Sequence, residues 1–153
     1  MTAVRVFLVR HGEAKDALVD PARPLSDVGR DDASRLAQWC AKSGVHPHEI
    51  RHSGILRAAQ TAEILAARLA PAGGVKKARG LAPDDDPSDW AATLAHETRS
   101  VMLVSHMPFL GELAELLSAQ RTPISFSTGA LVSFERVGAV FRSAASWSPF
   151  TSS

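Results

Sequence analysis

The chain opens on a nearly unbroken apolar run, Val4-Arg5-Val6-Phe7-Leu8-Val9, rich in β-branched and aromatic residues. Such a run is expected of a strand covered on both faces inside an α/β sheet. A polar stretch follows and ends at Pro24-Leu25-Ser26, where the period changes. Ala33, Leu36, Ala37 and Cys40 stand at i, i+3, i+4 and i+7, the stripe of an amphipathic helix. Ser26 is placed to cap that helix and Gly44 to stop it. A short strand is expected near Ile50 to Ser53, then a helix with Ile55, Ala59, Ala62, Leu65, Ala66 and Leu69 on one face. Pro71 and Gly73-Gly74 break the chain before a small strand from Val75 to Ala78.

The second half repeats the alternation. Ser88 to Glu97 reads as a short helix, introduced by the acidic turn Asp84-Asp85-Asp86-Pro87. Val101-Met102-Leu103-Val104-Ser105 is another buried-type strand, and Pro108 suits the first turn of a helix carrying Phe109, Leu110, Leu113, Leu116 and Leu117. Two strand-like runs between Ala130 and Trp147, with Gly138 between them, form a hairpin-type pair at the sheet edge. Strands alternating with helices predict a three-layer α/β/α arrangement with a mostly parallel sheet, one domain over residues 1–153.

Composition narrows the function classes. With 45% hydrophobic and 22% charged residues the chain is an ordinary globular protein rather than a disordered one. Its 17 basic and 16 acidic side chains nearly cancel, so charge gives no case for nucleic acid or a membrane surface as partner. One cysteine, Cys40, makes neither an intrachain disulfide nor a cysteine-rich zinc site. No uncharged apolar segment approaches the ~18 residues that span a bilayer. Arg5 and Arg10 interrupt the early apolar run that a secretory signal would need, so a cytoplasmic protein is expected.

The chemistry lies in three polar motifs, each at the carboxyl end of a strand. Arg10-His11-Gly12-Glu13 follows the first strand, Ser53 to Arg57 follows the second and enters a helix, and Ser105-His106 follows the strand at Val101. Open α/β sheets bind ligands at that edge. If the strands are parallel neighbours, two guanidiniums and two imidazoles converge with helix N-termini, a combination suited to phosphate. A neutral imidazole can attack phosphorus and form a phosphohistidine that water hydrolyses. Nearby arginines favour the neutral ring, so His11 is expected to be mostly uncharged at pH 7 and to attack in line. Arg10 and Arg57 would hold the non-bridging oxygens while His106 donates a hydrogen bond to them. Gly12 is placed with them among the substrate-binding residues. The scheme needs no metal and no cofactor.

These residues resemble the histidine phosphatase superfamily, also called phosphoglycerate-mutase-like. The resemblance rests on Arg10-His11-Gly12-Glu13, Pro24-Leu25-Ser26 through Gly29, Ser53 through Thr61 and Val104-Ser105-His106, an ordered set spanning about two-thirds of the chain. It implies that fold without a large lid insertion, His11 as nucleophile, and Arg10, Arg57 and His106 as the rest of the phosphate pocket. More narrowly, the short chain, Leu81-Ala82-Pro83, Ser105 through Gly111 and Phe126-Ser127-Thr128-Gly129-Ala130 resemble the SixA-type phosphohistidine phosphatases. Many superfamily members carry a glutamate acid after a leucine in mid-chain, and Leu81-Ala82-Pro83 offers none. An imidazole leaves far more readily than an alkoxide, because its conjugate acid has a pKa of about 6.5. A site without the acid therefore favours P–N cleavage. The expected substrate is a phosphohistidine on a protein, such as a phosphotransfer domain. A small phosphate ester is the alternative, and a catalytically idle phosphoprotein-binding module is an alternative of another class.

Other polar residues have plainer readings. Glu13 either orients an arginine or sits in its loop. Asp84, Asp85 and Asp86 suit a solvated turn before a helix better than a substitute acid or a metal site. His46, His48, His52 and His96 lack ligand-spaced partners and read as surface or loop residues.

Overall fold

The computed structural model describes residues 3–118 and 124–151. Its elements in chain order are β1 (Val4–Arg10), α1 (Asp27–Lys42), β2 (Glu49–His52), α2 (Leu56–Leu69), β3 (Val75–Lys77), α3 (Ser88–His96), β4 (Val101–Ser105), α4 (Phe109–Ser118), β5 (Leu131–Val137) and β6 (Val140–Trp147). The strands form one sheet in the order β3-β2-β4-β1-β5-β6. The first four of that order run parallel, β5 pairs antiparallel with β1, and β6 pairs antiparallel with β5 at that edge. This is the mostly parallel α/β sheet expected from the pattern. β5 and β6 are the expected hairpin, turning at Gly138, whose φ of 63° is the left-handed conformation a tight hairpin turn demands.

Period-two alternation sorts the core into two layers. Phe7, Val9, Met102 and Val104 pack with Leu36, Ala37 and Cys40 of α1 and Ala62, Leu65 and Leu69 of α2. Val6, Leu8, Val101 and Leu103 face the other way, onto Leu94 of α3 and Phe109, Leu110, Leu113 and Leu117 of α4. Each such side chain contributes about 1.5–3 kcal/mol when fully buried, so both faces of β1 and β4 must stay covered. No helix among the described residues is long and apolar enough to cross a membrane.

Helix ends follow the local signals. Ser26 caps α1, its Oγ accepting the Gly29 N–H at 3.0 Å, and Gly44 takes a left-handed φ of 75° after the last turn. The inward face of α2 differs from the expected stripe: Ala58 and Thr61 are buried with Ala62, Leu65 and Leu69, whereas Ala59 and Ala66 are half-buried and Ile55 is the residue before the helix. Alanines surround this helix on several sides, so periodicity alone does not choose among them. Packing against α1 and a hydrogen bond received by Thr61 choose instead. Leu116 likewise turns outward at 48% exposure, and the buried stripe of α4 runs through Ala114.

Candidate active site

Strand register brings the two histidines together. β1 and β4 are parallel neighbours with Arg10 opposite Ser105, so the next residues, His11 and His106, leave the sheet side by side. Their ring centroids lie 5.0 Å apart. On the far side of β4, His52 of β2 stands opposite Val104, which delivers Ser53 to the same place. The Ser53 Oγ is 2.7 Å from His106 Nε2. Arg57, in the first turn of α2, and Arg10 complete the wall of a crevice of about 340 Å³. A larger hollow of about 510 Å³, lined by His46, Pro47, Leu69, Pro71 and Arg99, sits at the opposite edge of the sheet and contains none of these residues.

The His11 ring is oriented by backbone. Its Nδ1 is 2.7 Å from the Gly12 carbonyl oxygen. A carbonyl only accepts, so Nδ1 carries the proton and the lone pair of the neutral ring is on Nε2. Gly12 is held in turn: its N–H donates to Thr61 Oγ1 at 3.0 Å, and the Thr61 hydroxyl donates to the Arg57 carbonyl at 2.8 Å. The loop also passes close to α1. A Cβ on Gly12 would lie 2.8 Å from the Gly29 oxygen, and one on Gly29 would lie 2.0 Å from the Glu13 oxygen. Glycine at both positions permits this backbone approach.

Burial and charge set the protonation states. His11 is 6% exposed. Burial pushes its pKa down to about 4, and the guanidiniums of Arg57, Arg10 and Arg23 act in the same direction against the Gly12 hydrogen bond. His106 is pushed down to about 3 by burial, then by His11, Arg57 and Arg10. Both rings are neutral at pH 7. Burial also lowers the pKa of Arg10 and Arg57, yet arginine remains charged. One Arg10 arm is anchored, Nη1 donating to the Phe126 carbonyl at 2.8 Å. The Nε of Arg10, the Nε of Arg57 and the Nδ1 of His106 are buried with no hydrogen-bond partner among the described residues. A buried donor left unsatisfied costs about 1–3 kcal/mol. Three unused nitrogens around one crevice beside a free imidazole lone pair suit a tetrahedral oxyanion.

The structure therefore brings together His11, Arg10, Arg57 and His106. It places Gly12 behind them, its amide engaged by Thr61 and its carbonyl by His11, so its backbone supports the His11 ring rather than facing the crevice. Glu13 lines the crevice, but its Oε2 accepts the Ser26 hydroxyl at 2.8 Å and no arginine is paired with it among the described residues. Asp85 accepts the Ala82 N–H and Asp86 the Ser88 N–H, as turn-forming residues do, and neither lines the crevice. The Ser88 hydrogen bond lowers the pKa of Asp86.

Three contributors carried no assigned role in the sequence. Ser53 and Thr61 lie inside the Ser53–Thr61 motif, and the four-residue step from Arg57 to Thr61 is the signal that places that hydroxyl over the Arg57 carbonyl. Arg23 also lines the crevice, with a left-handed φ of 48° and its Nε donating to the Lys15 carbonyl at 3.1 Å. A non-periodic loop gives no signal for it.

A family model of the histidine phosphatase superfamily (branch 1) matches residues 6–82, the stretch that holds Arg10, His11 and Arg57. The chain belongs to the histidine phosphatase superfamily. Phosphohistidine phosphatase SixA of Escherichia coli (strain K12) is 33% identical over 135 residues, 85% of this chain and 84% of that protein. An uncharacterised protein of Picosynechococcus is 37% identical over 127 residues, 78% of this chain and 76% of its own. The structure of protein histidine phosphatase SixA complexed with tungstate superposes with a TM-score of 0.88 at 31% identity, covering 96% of this chain and 98% of that one. As a histidine phosphatase this chain is compact at the crevice. Leu81-Ala82-Pro83 is pinned there, the Leu81 carbonyl accepting Ser105 Oγ at 2.6 Å and the Pro83 carbonyl accepting the Phe109 N–H at 3.1 Å. Pro83 and Met107 supply apolar wall, and Glu13 is the one carboxylate lining the crevice among the described residues.

Proposed function

We propose that the chain is a metal-independent phosphohistidine phosphatase acting on a phosphorylated protein. One observation carries the mechanism: Nδ1 of His11 is committed to the Gly12 carbonyl, which leaves the Nε2 lone pair free in a ring kept neutral by burial and arginines. In the first step Nε2 of His11 attacks phosphorus. An N–P bond forms as the substrate's P–N bond breaks, and the electron pair goes to the departing imidazole. That imidazole leaves neutral once its other nitrogen has taken a proton from water. His11 then carries the phosphoryl group as a cationic ring whose Nδ1–H still meets the Gly12 carbonyl. In the second step water attacks phosphorus, the electron pair returns to Nε2, and inorganic phosphate departs, the proton it sheds neutralising the hydroxide left by the first step. Arg10, Arg57 and His106 hold the oxygens through both steps, which need positioning and charge stabilisation more than covalent chemistry.

The substrate class follows from what flanks the site. With Pro83 and Met107 as wall and Glu13 tied to Ser26, no carboxylic acid among the described residues is poised to protonate an alkoxide. An imidazole leaving group does not need one. A crevice of about 340 Å³ admits a phosphorylated side chain and leaves the rest of a protein outside. The SixA likeness supports the same reading. A phosphotransfer domain in the cytoplasm is the partner this chemistry suits.

The test compares wild type and His11→Ala with EDTA present, on a phosphohistidine protein and on serine and sugar phosphates. The expected result is EDTA-insensitive release of phosphate from the phosphohistidine protein, lost in the variant. Trapping of labelled phosphate on His11 separates an enzyme from an idle binding module. Faster turnover of sugar phosphates would overturn the substrate assignment.

A further inference from the structure

A neutral imidazole has a single N–H, so His106 can donate to a phosphoryl oxygen only if its proton is on the correct nitrogen. Nε2 faces Ser53 Oγ at 2.7 Å, whereas Nδ1 is buried with no partner among the described residues. The serine oxygen also accepts the Ile55 N–H at 3.2 Å. Its own hydroxyl proton then has His106 Nε2 as the acceptor within reach among the described residues. The opposite arrangement, Nε2–H donating to Ser53, would leave the serine proton without an acceptor among the described residues and turn a bare Nδ1 lone pair toward an anionic substrate.

We propose that Ser53 is a positioning residue that sets the tautomer of His106: its hydroxyl donates to Nε2, keeps the ring proton on Nδ1, and so makes Nδ1–H the donor to a non-bridging phosphoryl oxygen. This deepens the phosphatase reading and rests on it for its role in turnover. The device is the counterpart of the one on His11. There the Gly12 carbonyl accepts and holds a proton on Nδ1, freeing Nε2 to attack; here the Ser53 hydroxyl donates to Nε2 and Nδ1–H becomes a donor. Two neutral histidines 5.0 Å apart thus receive opposite tasks from the partner each meets on its other nitrogen. Strand register makes this reproducible, because Ser53 and His106 each directly follow a paired strand end.

The tautomer is read without turnover, from two-bond proton–nitrogen correlation spectra of protein labelled with nitrogen-15 histidine at pH 7 in phosphate-free buffer. The His106 signals are assigned by their loss in His106→Gln. Wild type is expected to show a protonated Nδ1 and a bare Nε2 on His106. Ser53→Ala is expected to shift the proton to Nε2, the nitrogen that carries it in most neutral histidines in water. Its kcat should fall about tenfold or more, toward the ~100-fold lost when one oxyanion-stabilising donor is removed, with a smaller change in KM. Ser53→Thr, which keeps the hydroxyl, should restore both tautomer and kcat. A protonated Nε2 in wild type overturns the proposal even if Ser53→Ala does not fold, as does Ser53→Ala with Nδ1 protonated and full kcat. Wild type with a protonated Nδ1 and no activity on phosphohistidine would instead remove the substrate reading and leave the hydrogen-bond assignment standing.

Discussion

Replacing His11 with glutamine should flatten the acid limb of the stability curve, by an amount that burial at the crevice sets. The native ring has a pKa of about 4 against 6.5 for an unperturbed histidine. In the window between those values the unfolded chain binds a proton that the folded chain refuses. The sign follows: stability contributed by this site is intact above pH 6.5, falls as the pH drops below it, and stops falling once the native ring also protonates near pH 4. At about pH 5 protonation shifts the folding equilibrium toward the unfolded chain roughly 30-fold, which is a loss of about 2 kcal/mol from His11 alone. This magnitude depends little on the exact native value, since any pKa well below 5 gives nearly the same answer. His106 and His52, both lowered, add in the same direction, and Asp32, raised by burial, opposes them. Comparing the two proteins largely cancels those shared contributions. The assay is urea denaturation of wild type and His11→Gln between about pH 7.5 and pH 5, in buffer free of phosphate and sulfate, which would bind the native crevice and mask the effect. With a denaturant slope of about 2 kcal/mol/M, wild type should lose roughly 1 M more in midpoint than the variant. Parallel profiles for the two proteins would refute both the depressed pKa and the neutral nucleophile built on it.

Arg57→Gln should raise the His11 pKa, because the Arg57 charge is among the forces lowering it, whereas Arg57→Lys should leave it low; NMR titration of His11 reads the difference. Both variants lose the planar fork, and kcat/KM should fall about 100-fold or more, as for loss of one preorganised oxyanion donor. Thr61→Val removes the acceptor of the Gly12 N–H and should cost about 1–3 kcal/mol for a stranded buried amide, seen as a drop in Tm together with lower kcat as the Gly12 carbonyl loosens its hold on His11. Gly29→Ala places a Cβ 2.0 Å from the Glu13 oxygen; overpacking of this kind costs about 1–3 kcal/mol, and moving the loop should reduce turnover. The control is Gly44→Ala, where a Cβ meets nothing within 4 Å and only the left-handed backbone is penalised, so turnover should hold.

Local physics made much of this protein readable along the chain. A doubly buried strand must be apolar on both faces, so β1 and β4 announce themselves, and a helix that must satisfy its first amides announces its start at Ser26. The same reasoning put Arg10, His11, Arg57 and His106 at strand and helix ends, where open sheets bind ligands. What no local pattern contains is which strands become neighbours. The order β3-β2-β4-β1 pairs segments nearly a hundred residues apart, and only that pairing turns Arg10 opposite Ser105 into two histidines within 5.0 Å of each other. The inward face of α2 was ambiguous for a related reason: alanines are compatible with either side, and the choice falls to Thr61 because the Gly12 amide needs an acceptor. Arg23 was invisible because its place depends on a loop backbone with a positive φ rather than on any period. Proton positions also depend on tertiary structure. Sequence determined that two histidines would stand at the ends of strands; only the folded chain, by setting a carbonyl against one and a hydroxyl against the other in a buried and positively charged crevice, decided which nitrogen of each is free to act.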